Sequence, residues 1–421
     1  MLRTITAFLA LTCASTAQPV YDLLLKSGHV IDPQNNISKV MDVAIADGRI
    51  ARLAVDIPAT QARKVVNVTG LYVAPGLIDI HVHVYTRCGA NNSEGVDPDA
   101  FSFRSGVTTM VDAGTTGWRE FPDFRARVID RARTRVLALL NIVGAGMGSG
   151  KENDPAEMDA DAAAKMAKAN ADVIVGFKSA HYEGPAWESI DNAVKAGNLT
   201  NLPVMVDFGR INQLRNIGAL FLERLRPGDI YTHCYSGHRQ ELLATGKVNP
   251  AMWAGRKRGI IFDVGHGGGS FYWYVAVPAY EERFYPDSIS TDLHTGSMNA
   301  GMKDMLNVMS KCLNLGSSLD EVIRMSTCNP AKEIKRPQLG NLNVGAEADM
   351  AVIRIDDGSF GFVDSAGASN AGNRLMICEM TLRKGTVVWD LNGRASETWK
   401  TFPYQKDSWE QIAAPSLPSQ H

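Results

Sequence analysis

The chain has 421 residues, 45% hydrophobic and 21% charged, which is ordinary for a globular protein and enough for two or three domains' worth of core. Its 43 basic and 45 acidic residues leave a formal net charge of -2. That balance excludes a strong field toward nucleic acid or an anionic membrane, and makes a small molecule the expected partner.

Residues 1–17 read as a secretory signal peptide: Arg3 precedes a short apolar stretch, and the small residues Ser15 and Ala17 precede Gln18. The apolar run is too short to span a bilayer, and no later run is long enough, so the expectation is a soluble protein exported after cleavage near Ala17. Thr12 is too bulky for a lipoprotein box before Cys13. The remaining cysteines (Cys88, Cys234, Cys312, Cys328 and Cys378) are scattered and odd in number, unlike a disulfide framework, with Cys312 and Cys328 the candidate pair in an oxidising compartment.

Residues 18–75 carry short apolar runs broken by turn signals, among them "ADGRI", where Asp47-Gly48 between alternating apolar residues predicts a hairpin. From residue 76 the texture becomes β/α. Eight strand-like runs follow: "GLIDIHVHV", "TTMVDAG", "RVLALLNIV", "DVIVGFKSAH", "LPVMVDFG", "DIYTHCY", "GIIFDVGH" and "SISTDLH". Between them lie stretches with helical spacing, such as "FPDFRARVIDRART", "AEMDADAAAKMAKAN" and "NQLRNIGALFLERL". This alternation predicts a (β/α)8 TIM-like barrel over 76–337. An open doubly wound sheet would want a glycine-rich loop after its first strand, and "HVHVYTRCG" is not one. Strand texture returns in "VGAEADMAVIRI" and "RLMICEMTLRKGTVVWDLNG". Residues 18–75 and 338–400 are therefore expected to form one composite β-sandwich domain around the inserted barrel, with 401–421 as a tail.

The C-terminal ends of barrel strands build active sites, and the unusual residues of this chain fall there. His81 and His83 close the first run, Lys178 the fourth, Asp207 the fifth, His233 the sixth, His266 the seventh and Asp292 the eighth. In a strand, His81 and His83 share one face. Taken singly, a strand histidine is more often hydrogen-bonded core than ligand, and a lone Asp more often caps a helix. Convergence on one rim favours a metal, because buried charges must be paired or metal-bound.

These motifs together ("GLIDIHVH", "GFK", "YTHCYSG", "FDVGHGGGSF", "STDLHTGSMN" and "EMTLRKGTVVWDLNG") resemble the amidohydrolase superfamily, within it the deacetylase metallohydrolases related to dihydroorotases. The resemblance covers nearly the whole chain after residue 17. It implies a barrel with a composite β-sandwich and two divalent metal ions, usually zinc, bridged by hydroxide and a carboxylated lysine. Carried over, His81, His83 and Asp292 are ligands of the first metal, His233 of the second, and Lys178 is the bridging carbamate. Asp292 is also the proton shuttle. The chemistry suits the residues: imidazole and carboxylate bind zinc, and a buried lysine is disfavoured as a cation.

One position departs from the pattern. Related chains carry histidine at the end of the fifth strand, where this one has Asp207 in "PVMVDFG". Asp207 is the expected replacement ligand, with His181 in "KSAHYEG" as a second candidate. His266 is expected to face substrate, to support the ligands, or to ligate. Asp79 and Asp263 are candidates to orient ligand imidazoles. His29, His238, His294 and His421 read as structural or solvent-facing, and Arg210, Tyr182, Ser297 and Asn299 as rim residues within reach of a substrate. The implied activity is hydrolysis of an amide or ester, as in removal of an acetyl group from an N- or O-acyl amino or hydroxy acid. The alternatives are a cyclic-amide hydrolase and a metal-free scaffold. A homo-oligomer is compatible with all three.

Overall fold

The computed structural model describes residues 20–86, 95–209 and 211–404. The expected signal segment, Cys13, Cys88, Arg210 and His421 lie outside them. Five strands open the chain: β1 (Tyr21–Asp32), β2 (Ile37–Ala46), β3 (Arg49–Ala54), β4 (Ala62–Asn67) and β5 (Tyr72–Pro75). β2 and β3 are joined by Asp47 and Gly48, at φ 50 and 71, the paired left-handed conformations of the hairpin turn that the Asp-Gly predicts.

Seven parallel strands follow: β6 (Leu77–Val82), β7 (Val107–Gly117), β8 (Arg135–Asn141), β9 (Ile174–Ala180), β10 (Val204–Asp207), β11 (Ile230–Tyr231) and β12 (Ile261–Phe262). They lie side by side in chain order. Every residue of β6, β7, β9 and β10 is buried. That is why these runs read as continuous apolar stretches rather than as alternation: helices cover one face and packed side chains the other.

The eighth run does not form a regular strand. Residues 288–293 touch both ends of the sheet through isolated bridges, Asp263 with Ser288 and Val82 with Leu293. Hydroxyls of Ser288 and Ser290 donate to Asp263 and that of Thr291 to Asp79, and Asp292 departs from the extended region at φ 51.

The helix over Ala160–Ala169 follows its sequence closely. Asp159 accepts from the amides of Asp161 and Ala162 as N-cap, and Ala160, Ala163, Ala164 and Ala167 form the buried stripe. Two other predicted helices are broken. A short α turn at Phe121–Phe124 widens into a π turn over Arg125–Ile129, and another at Ile217–Ala219 into a π turn over Leu220–Arg224.

Three last strands, β13 (Met350–Val363), β14 (Ser369–Arg383) and β15 (Thr386–Asp390), return to the N-terminal strands. β13 pairs antiparallel with β5, giving one mixed sheet in the order β15-β14-β13-β5-β1-β2-β3, with β4 on β1. Its core includes Leu25, Val43, Val73, Val352 and Met380 from both ends of the chain. The long β13–β14 hairpin runs the other way, toward the C-terminal rim of the parallel sheet, where Ser365 donates its amide to Phe271 O at 2.9 Å.

The Cys312–Cys328 bridge is not formed. Both are separate buried thiols, as are Cys234 and Cys378. Cys312 lies in the helix Met305–Asn314 and faces Tyr280, whereas Cys328 opens the helix Cys328–Glu333 and faces Arg324 O. Among the described residues no helix is long and apolar enough to cross a membrane.

Candidate metal centre

His81 ends β6 on the face that His83 shares one pleat later, and the two rings meet edge-on, 5.6 Å between centroids. The backbone amide of Asp292 donates to His81 O at 2.7 Å, which brings its carboxylate to the pair. Asp292 Oδ1 stands 3.4 Å from His81 Nε2 and 3.1 Å from His83 Nε2. Ligand atoms of these three residues lie within 4.8 Å of one another, close enough for one ion.

Lys178, from β9, reaches the same point, its Nζ 3.0 Å from His81 Nε2 and 3.9 Å from Met205 Sδ. Burial lowers its pKa, against the attraction of Asp207 and Asp292. His233, just beyond β11, brings its ring within 5.0 Å of His81. His233, Asp292 and His181 all have left-handed backbones, with φ of 63, 51 and 55. Each such residue costs on the order of 1–3 kcal/mol and persists only where its surroundings over-determine it, which is common at functional sites.

All three imidazoles are held in the same sense. His81 Nδ1 meets Thr232 Oγ1 at 2.9 Å, and that hydroxyl donates onward to Asp263 at 2.8 Å, so His81 Nδ1 is the donor. His83 Nδ1 meets Thr115 Oγ1 at 2.8 Å, and His233 Nδ1 donates to Gly265 O at 2.5 Å. With Nδ1 engaged, each Nε2 turns its lone pair toward the centre. Asp263 thus acts on His81 through Thr232. Asp79 instead holds Thr291 and the amide of His81, and burial pushes its carboxyl up to about 7.

Asp207, from β10, faces the second half of the site. Its Oδ2 lies 3.3 Å from His233 Nε2 and 2.9 Å from His181 Nε2, while Oδ1 accepts from Arg239 Nη2 at 2.6 Å. Burial would raise its pKa, but His233, His181 and Arg239 hold it well below the usual carboxylate range. His181 sits on the outer side of Asp207 with half its side chain exposed, and Glu152 is 3.4 Å from its Nδ1. The attraction of Asp207 raises its pKa to about 10.

His266 is set apart. Its Nε2 accepts from Lys311 Nζ at 2.6 Å, its Nδ1 donates to Gly267 O at 2.9 Å, and its ring stacks on Phe271 at 4.6 Å. Both nitrogens are occupied by protein groups, so it supports the glycine-rich segment rather than facing substrate. Tyr182 donates to Glu188 and packs against Arg215, and buried Ser297 donates to Asp292 O. Asn299 lines a separate cavity of about 190 Å³ that also reaches Asp79.

The sequence reading passes over Arg239, Thr232 and Lys311, and places His294 among the structural or solvent-facing residues. His294 Nε2 is 3.9 Å from Asp292 Oδ2, and its ring is 6.2 Å from that of His83. Its place two residues after Asp292 is the same spacing that marks His81 and His83, so it had a signal. Arg239 had none, because nothing local ties it to Asp207.

A curled parallel sheet with histidines, lysine and aspartates at its C-terminal rim and a mixed sheet built from both chain ends defines a class, the metal-dependent amidohydrolases. The family described as "Amidohydrolase family" matches residues 72–219 and 276–388, and this chain belongs to it. A deacetylase of Brucella anthropi is 33% identical over 339 residues, covering 78% of this chain and 83% of the relative. The crystal structure of an adenine deaminase superposes with a TM-score of 0.79 at 27% identity, covering 88% of this chain and all of that one. A dihydroorotase structure gives 0.76 at 28% identity, with 87% and 99% covered.

Proposed function

We propose that this chain is a metal-dependent hydrolase that removes an acyl group, acetyl first among them, from an N- or O-acyl amino or hydroxy acid. The observation that carries the reading is the common orientation of three imidazoles, each fixed through Nδ1, toward Asp292, Lys178 and Asp207. The likeness to a deacetylase over most of both chains sets the acyl preference.

The donor set fits two divalent ions, with zinc the best match for imidazole and carboxylate. His81, His83 and Asp292 would hold one, His233 and Asp207 the other, and Lys178 as a carbamate would join them. Lys178 suits that modification because its buried amine has imidazole and thioether neighbours and a lowered pKa. When bound, the metals supply carbonyl polarisation and a more acidic water. Asp292 then takes the proton from the attacking water and returns it to the leaving amine or alkoxide. His294 stands beside the other carboxylate oxygen and can steady its charge. Asp207 is anchored by Arg239, so it enters the site as a fixed carboxylate.

The finer architecture belongs to the same reading: a (β/α)8 barrel closed by residues 288–293, a mixed sheet folded as a composite β-sandwich, and export after cleavage near Ala17. The test is metal analysis of purified protein, wild type beside Lys178→Ala, followed by assay on acetylated amino and hydroxy acids against cyclic imides. Near two metals per chain, falling in the variant, with turnover of the acetylated acids, is the expected result. Preference for cyclic imides would favour the dihydroorotase-like reading, to which the 0.76 superposition lends support. No metal and no activation by zinc or manganese would return the chain to the scaffold reading.

A further inference from the structure

The glycine-rich segment after β12 has its backbone pressed against the ligand residues. A Cβ at Gly267 would lie 2.4 Å from Asp292 Oδ2, and one at Gly265 would lie 2.8 Å from His233 Nδ1. Both residues are left-handed, at φ 56 and 47. Since Gly265 O also accepts from His233, any drift of this segment moves a ligand ring.

Glycines offer no side chains to anchor such a segment. Its amides reach Ser290 Oγ, Ser290 O and Thr291 O, and its side-chain anchor is His266, which is held by Lys311, a buried lysine from the helix Met305–Asn314. The Lys311 ammonium uses all three of its protons: on His266 Nε2 at 2.6 Å, Gly301 O at 2.7 Å and Val363 O at 2.8 Å. Those acceptors come from three separate segments, and the last is the end of β13. The hairpin adds its own grip. Ser365 exchanges hydrogen bonds with Phe271 in both directions, and Trp273 Nε1 donates to Phe362 O.

We infer that Lys311 and the tip of the β13–β14 hairpin are positioning elements of the metal centre, holding the Gly265–Gly267 backbone against His233 and Asp292. The small sheet therefore takes part in the site. Methionine at 311 fills the space but drops all three bonds, leaving His266 Nε2, Gly301 O and Val363 O without this donor. The catalytic part of this inference rests on the hydrolase reading above; the structural part does not.

The test uses hydrogen exchange on the full chain, comparing wild type, Lys311→Met and Asn314→Ala. Asn314 ties the same helix to β14 through Asn373 and Arg374 without touching the glycine-rich segment. Exchange across residues 263–273 should rise about tenfold in Lys311→Met and stay at the wild-type rate in Asn314→Ala. With a turned-over acyl substrate, kcat should fall about 10–100-fold in Lys311→Met while KM changes little, as for other groups that orient ligands. Unchanged exchange in a folded Lys311→Met protein, or an equal rise in both variants, overturns the inference. If Lys311→Met does not fold, Ser365→Ala read by the same exchange decides it. A wild type that hydrolyses no acylated acid defeats the functional reading alone, since the exchange comparison still stands.

Discussion

Both ends of the parallel sheet carry buried or half-buried charge, and they treat it differently. At the N-terminal end, Arg135 and Arg383 face Glu347 and Asp349. Asp349 accepts from Arg135 at 2.9 Å and from Arg383 at 2.9 Å, and Glu347 pairs with the same two arginines. Two cations meet two anions, and the cluster is complete within the protein. At the C-terminal rim, Lys178 faces an imidazole, three Nε2 lone pairs point inward, and Asp292 is held in a left-handed conformation to join them. One cluster is closed and locks the small sheet to the parallel sheet. The other turns imidazole Nε2 atoms, Lys178 and Asp292 toward a shared centre, the donor set that a cation site uses.

Substitutions can break this contrast or sharpen it. The largest effect is expected at Asp292. Asn at this position keeps the shape and loses the proton acceptor, so kcat should fall by about 10²–10⁴ with the fold intact by circular dichroism. Next is Thr232→Val, which cuts the link from Asp263 to His81 without touching the centre. Metal affinity, read by chelator competition, should drop about 10–100-fold.

At the closed end, Arg135→Met should leave metal content and turnover alone and cost about 2–3 kcal/mol by urea unfolding, since breaking a buried pair strands its partners and partial exposure screens the loss. A matching loss of metal would erase the distinction between the two ends.

The smallest effect is a pH slope. Burial lowers the Lys311 pKa to about 7, whereas in the unfolded chain the lysine holds its proton to about 10.4. Between those values the unfolded state binds more protons, so stability rises with pH, by at most about 1.4 kcal/mol per unit. The penalty is complete below about pH 7. The difference in unfolding free energy between wild type and Lys311→Met, measured at pH 7 and 9, should carry this slope. Carboxylates Asp364 and Asp304 and the cation Lys303 also bear on Lys311, and the subtraction holds them constant.

The features that the sequence made legible are the local ones. Period-two spacing put His81 beside His83, continuous apolar runs marked strands buried on both faces, and Asp-Gly marked the β2–β3 turn. The illegible ones depend on partners far along the chain. Asp292 sits out of the extended region among neighbours whose hydroxyls bond Asp263 and Asp79, across 25 to 212 residues. The π turns at Arg125–Ile129 and Leu220–Arg224 carry helix-like spacing, so periodicity could not separate them from α-helix. Cys312 and Cys328 are sixteen positions apart in sequence, which says nothing of thiols turned toward Tyr280 and Arg324. The strand end of His266 alone does not decide between facing substrate, supporting the ligands and ligating; Lys311, which occupies its Nε2, lies 45 residues away.

Asp207 and Arg239 have a history-like consequence. Related chains are expected to hold histidine where this one holds Asp207, and here Asp207 is tied to Arg239. A histidine at 207 would leave the buried Arg239 without its anion, and an aspartate there without Arg239 would lack its anchor. The two positions should therefore be epistatic: Asp207→His alone should cripple the protein, and a neutral residue at 239 should be what restores it. Chains that carry Asp at the fifth strand end should also carry Arg at the position of Arg239, a pairing that an alignment of relatives can check.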